Sequence, residues 1–87
     1  TFVLMQEYTG DLTVYHVDLY RLRPEEVIDF EPQIYDLIER GGIVAIEWAD
    51  RLPAPYDGAI QVNIEDQGDD ERLLMVERVA AATTPGA

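Results

Sequence analysis

Residues 12–19 alternate as a β-strand does. Leu12, Val14, His16, Asp18 and Tyr20 take one side, and Thr13, Tyr15, Val17 and Leu19 take the other, because successive side chains of a strand point to opposite faces. The first side opens apolar and closes on His, Asp and Tyr, so the far end of that strand calls for a carboxylate. An earlier β-rich run covers residues 2–8, and Thr9-Gly10-Asp11 between the two predicts a hairpin. Pro24-Glu25-Glu26 has the proline and acids of a helix first turn. A second helix is predicted to start near Glu31-Pro32, with Ile34, Leu37 and Ile38 on one face. Arg40 and Gly41-Gly42 supply its stop. The unbroken run Ile43-Val44-Ala45-Ile46 predicts a strand covered on both faces, as in an α/β sheet, and it ends abruptly at Glu47-Trp48. Residues 49–58 read as a loop. Ile60, Val62 and Ile64 alternate with Gln61, Asn63 and Glu65, which predicts a half-exposed strand. Gln67-Gly68-Asp69-Asp70 turns the chain into a last strand over 72–79, and residues 80–87 read as a disordered tail.

Composition narrows the choices. A chain of 87 residues makes one small domain or part of one, and an apolar content of 47% is too high for a disordered acidic tail. The net charge of −12 argues against a direct grip on nucleic acid, which needs clustered cations. Any RNA served by this chain is therefore expected to be held by a partner. With no cysteine, disulfides and thiolate metal sites are excluded. The six basic residues are all arginine, so a Walker A loop with its lysine is absent from this sequence. No apolar run approaches the roughly 18 residues of a membrane span, and the expectation is a soluble, cytoplasmic protein. Thr1 leads straight into a β-type run, and the chain is expected to be a processed or truncated C-terminal part of something longer.

Two acids stand out. Asp18 and Glu47 both lie near predicted strand ends, where open α/β sheets bind ligands. A carboxylate that terminates a buried apolar strand has the form of a Walker B acid, which holds magnesium beside nucleotide phosphates; simple exposure or capping explains Glu47 as well. His16 and Asp18, two apart, can converge on a metal, but two ligands are too few for zinc. A His hydrogen-bonded to a polar neighbour is the plainer account. A glycosidase-type pair would need a carboxyl separation that the sequence does not supply. Glu65-Asp66 with Asp69-Asp70-Glu71 lacks the spacing of a calcium loop and reads as a solvated turn. Trp48 suits base stacking or core filling equally. Tyr20 and Arg21 suit ligand contact or amphipathic packing.

Taken together, Thr1-Phe2, His16-Val17-Asp18-Leu19-Tyr20-Arg21-Leu22 and Ile46-Glu47-Trp48 closely resemble the TsaE family (also called YjeE). These are small P-loop ATPases required for threonylcarbamoyladenosine modification of tRNA. The family pattern runs Walker A loop, S-P-T-F, H-x-D-L-Y-R-L, then a buried strand ending in E-W. The resemblance covers residues 1–52 by motif and the rest by layout. It implies an α/β, P-loop NTPase-like α/β/α sandwich, present here as a partial mixed sheet with β-hairpins and one or two helices. Residues 1–79 would be the C-terminal portion of that domain.

The resemblance also assigns roles. Thr1 would be the switch-like threonine near the metal and γ-phosphate. Asp18 would be the catalytic acid, handling magnesium or activating water. Glu47 would help hold magnesium, with Trp48 beside the nucleotide pocket. Ala49 and Asp50 depart mildly from the family's usual Pro and Glu. ATP and magnesium would be cofactors of the full-length protein, and the 87-residue chain alone would bind neither appreciably. TsaB and TsaD would be the partners, with tRNA reached only through them. Self-association is a further expectation, because losing the P-loop strand and helix would bare apolar faces. The alternative function is a non-catalytic acidic interaction module. A less favoured third reading is an independent metal-dependent hydrolase using Asp18 and Glu47.

Overall fold

A computed structural model describes residues 4–80. Of the tail expected over 80–87, all but Ala80 lies outside the described residues, as does the start of the first strand. The chain forms two compact units, divided between Ala54 and Pro55.

The first unit is a three-stranded sheet with one helix. Strands β1 (Leu4–Tyr8), β2 (Val14–Asp18) and β3 (Ile43–Glu47) lie in the order β1-β2-β3. β1 pairs antiparallel with β2, as the hairpin signal predicts. β2 and β3 are parallel, and the connection between them is the helix α1 (Pro24–Glu39), the crossover that parallel neighbours require. The buried side of β2 is Tyr15 and Val17, continued by Leu19, and the buried residues of the helix are Val27, Phe30, Ile34 and Leu37. Val14, His16 and Asp18, on the opposite side, are only half-buried. The core therefore lies under the side that is apolar throughout, and the side that turns polar faces away from the helix.

One helix replaces the two predicted. Pro32 sits inside α1, where a missing N–H and a ring clash cost about 3 kcal/mol. The apolar stripe runs on past it: Val27, Phe30, Ile34 and Leu37 recur every three or four residues and are all buried. Burying each contributes roughly 1.5–3 kcal/mol, so continuity outweighs the proline. Ile38, expected on the same face as Ile34 and Leu37, is exposed; it lies about 40° around the helix from Ile34, at the edge of the stripe in the last turn. At the N-terminus the Glu26 carboxylate accepts the Arg23 backbone N–H at 2.9 Å and its Nε at 3.1 Å. That hydrogen bond, then the charges of Glu26 and Glu25, raise the Arg23 pKa. At the other end, hydrogen bonding to the Tyr15 hydroxyl and then the charge of Asp36 raise that of Arg40.

β3 differs from its prediction. It is covered on the helix side, where Val44 and Ile46 are half-buried, but Ile43 and Ala45 are exposed. An unbroken apolar run predicts cover on both faces, and no described element of this unit lies on the second.

The second unit is an antiparallel pair, β4 (Ile60–Gly68) and β5 (Glu71–Arg78). Asp69 and Asp70 both take positive φ, at 50° and 63°, which makes the predicted turn a two-residue type I′ loop matched to strand twist. Asp66 anchors it: its Oδ1 accepts the Gly68 N–H at 2.8 Å and pairs with Arg72 at 3.1 Å. The acidic run is thus a hairpin turn with an ion pair.

Removing side-chain volume separates buried from exposed helix positions. Ile34, with 0% exposure, should cost about 2–5 kcal/mol as Ile34→Ala. Ile28→Ala, on the exposed side, should stay within about 0.5 kcal/mol of wild type. Urea unfolding of both variants checks this.

Candidate functional site

The parallel ladder decides which side chains meet. In register, Asp18 stands opposite Glu47, His16 opposite Ala45, and Val14 opposite Ile43. Directly opposed residues share a face, on strands about 4.8 Å apart. Asp18 and Glu47 are therefore neighbours on one face, at the carboxyl ends of adjacent parallel strands, the end where α/β sheets take ligands. Their face is the one turned away from α1.

Each acid is held by its own neighbourhood. Asp18 Oδ1 accepts the Tyr20 backbone N–H at 2.9 Å, an Asx-type turn that stops β2. The Leu22 N–H then closes onto the Leu19 carbonyl at 3.1 Å. A carboxylate has two oxygens, so the turn uses one and leaves the other for further contacts. Glu47 is exposed, and its Oε1 lies 3.5 Å from His16 Nε2. Glu47 is thus the polar neighbour of His16, which stands beside an acid rather than in a zinc site. The ladder extends one step further, with the Leu19 N–H donating to the Glu47 carbonyl at 3.2 Å.

Immediately after Glu47 the backbone reverses. Trp48 adopts φ 60°, ψ 41°, the left-handed region that a bulky residue occupies at a cost of order 1–3 kcal/mol. A single turn of 3-10 helix follows over Ala49–Arg51, inside the segment predicted as loop. This geometry brings Trp48 against Tyr20, ring centroids 4.8 Å apart and tilted by 42°. Arg51 completes the group: its guanidinium carbon stands 5.4 Å from the Tyr20 ring centre and 5.9 Å from that of Trp48. The pattern of hydrophobic positions did not single out Arg51. The signal was the three-residue spacing from Trp48, because residues three apart lie one above the other in a 3-10 turn.

Among the described residues no three His, Cys, Asp or Glu side chains gather closely enough to hold a metal ion by themselves. Thr1, expected to join Asp18 and Glu47, lies outside the described residues. The donors brought together are two carboxylates, hard oxygen ligands in register. That set suits magnesium, which is commonly held by one or two carboxylates with waters and substrate phosphates completing the shell. It does not suit zinc.

The sequence profile for "Threonylcarbamoyl adenosine biosynthesis protein TsaE" matches residues 1–74. Several curated relatives bear the description tRNA threonylcarbamoyladenosine biosynthesis protein TsaE. That of a Nostoc species is 45% identical over 69 residues, covering 74% of this chain and 40% of its own. That of Rickettsia bellii is 40% identical over 82 residues, covering 87% and 53%. That of Bacillus subtilis is 32% identical over 79 residues, covering 85% and 46%. The chain thus spans about half the length of the curated relatives it matches. No solved structure matches it.

The turn at Asp18 separates shape from charge. Asp18→Asn keeps an oxygen for the Tyr20 N–H, so its stability should stay within about 0.5 kcal/mol of wild type. Asp18→Ala removes the acceptor and should cost about 1 kcal/mol. Thermal unfolding of the two variants, side by side, checks the assignment.

Proposed function

Because the chain belongs to the TsaE family, we propose that it is the cation- and water-positioning part of an ATPase acting in threonylcarbamoyladenosine biosynthesis on tRNA. The observation that supports this most directly is the in-register pairing of Asp18 with Glu47 at the carboxyl ends of two parallel strands. Magnesium, when bound, supplies charge neutralisation for nucleotide phosphates. Glu47 and Asp18 would hold it, with Thr1 as a third contributor. Asp18, already fixed by its turn, would orient the attacking water with its second oxygen. Trp48 would flank the nucleotide. His16, beside Glu47, would keep that carboxylate directed along the sheet face.

The phosphate cradle is the part that this sequence does not carry. No lysine is present, and a P-loop needs a lysine and a glycine-rich run of backbone amides. The 87-residue chain alone should therefore bind ATP negligibly, while the full-length protein hydrolyses it. TsaB and TsaD are the proposed partners. The chain's net charge of −12 fits a role in which tRNA is held by them and not by this chain. A cytoplasmic location follows from that role. An acidic docking module without catalysis would retain ATPase activity on loss of either carboxylate.

Asp18→Asn and Glu47→Gln in the full-length protein are the deciding variants. Each should lower magnesium-dependent ATP hydrolysis by about 100-fold or more, with circular dichroism unchanged. Wild-type turnover in both would sink the assignment. For the chain alone, isothermal titration with ATP and magnesium should give no measurable heat, and micromolar binding would overturn the view that the cradle lies elsewhere.

A further inference from the structure

We propose that Arg51 is a positioning residue for this site, holding Trp48 and Tyr20 as one rigid wall beside the Asp18–Glu47 end of the sheet. Tyr20 and Trp48 are each 52% exposed, so burial in a core does not fix their rings. Two other things do. The rings touch each other, with centroids 4.8 Å apart, and one guanidinium lies within reach of both faces, at 5.4 and 5.9 Å. Cations are attracted to aromatic faces at these distances.

The same guanidinium is tied down at its edge. Arg51 Nη1 donates to the Leu22 carbonyl at 3.3 Å, in a part-buried contact. Leu22 itself is buried in the core, one residue before the Arg23 cap of α1. Arg51 thus links three segments: the turn after β3 that carries Trp48, the turn after β2 that carries Tyr20, and the entry to the helix. A planar group can face rings and donate from its edge at once, whereas a lysine ammonium is a point charge without that geometry. Trp48 also sits in the left-handed region. A turn held in an unfavourable conformation needs an external tie, and the bond from Arg51 to Leu22 provides one.

The functional consequence rests on the nucleotide reading given above, and the positioning claim itself does not. The test uses the full-length protein in which any tryptophan other than Trp48 is replaced by Phe, so that emission reports this ring alone. In Arg51→Ala, acrylamide quenching of Trp48 should rise at least about twofold, and KM for ATP should rise about tenfold with a smaller loss in kcat. Arg51→Lys keeps the charge and guards against misfolding; it should leave quenching elevated and KM intermediate. Wild-type quenching in both variants overturns the proposal. So does raised quenching with wild-type KM in a protein whose Asp18→Asn variant has lost hydrolysis. If Asp18→Asn and Glu47→Gln are themselves without effect, the nucleotide reading is what fails, and quenching alone decides the role of Arg51.

Discussion

The candidate site depends on the parallel ladder between β2 and β3 keeping one register. A slip of a single residue would carry Glu47 to the helix side of the sheet and bring Ile46 out in its place. The register is pinned at both ends. At the start, the Ile43 N–H donates to the Thr13 carbonyl at 2.9 Å, and Gly42 lets the strands come that close. A Cβ at Gly42 would lie 2.5 Å from the Thr13 oxygen, which backbone cannot yield cheaply. At the far end the Leu19 N–H reaches the Glu47 carbonyl. Between these points, Val44 and Ile46 keep the helix side of β3 apolar. The two carboxylates are neighbours because a glycine and an apolar ladder elsewhere make them so.

The helix is the other half of that constraint. Parallel neighbours need a crossover, and α1 both makes the connection and covers the buried side of β2. Its stripe of Val27, Phe30, Ile34 and Leu37 is continuous through Pro32, so a single rigid element spans the sheet. Its N-terminus is set by Glu26 closing on Arg23, directly after the turn that begins at Asp18. The end of β2, the turn at Tyr20 and the helix entry therefore form one short connected stretch.

Much of this was legible in the sequence, for identifiable reasons. The period of two in residues 12–19 marked β2, and the acids at the strand ends are the pair that the register sets opposite each other. The motifs marked the family, which the profile match over residues 1–74 establishes. The β4–β5 hairpin followed from its turn residues. Three readings failed where tertiary packing overrode a local signal. Pro32 looked like a helix start because a proline breaks helices in isolation, but buried apolar contacts on both sides of it outweighed that cost. Ile38 has the spacing of the stripe, four residues after Ile34, but it stands in the last turn of α1 and is exposed. The apolar run of β3 promised two covered faces, and one is covered. Arg51 went unnoticed because its partners come from separate segments. Only the fold brings Tyr20 and Trp48 together.

The candidate site residues are also the ones that end the strands. Asp18 stops β2 by accepting the Tyr20 N–H, and Trp48 reverses the chain after β3 by entering the left-handed region. This coupling has a physical advantage. A carboxylate free to rotate must lose rotamer entropy when it binds a cation, but Asp18 has already lost it in making its turn. The turn asks only for an acceptor oxygen; a divalent cation asks for negative charge. The two demands fall on different oxygens of one side chain, so folding orients the group without satisfying it. Glu47 lacks such a turn and relies on His16 across the ladder. The difference makes Asp18 the rigid member of the pair and Glu47 the adaptable one.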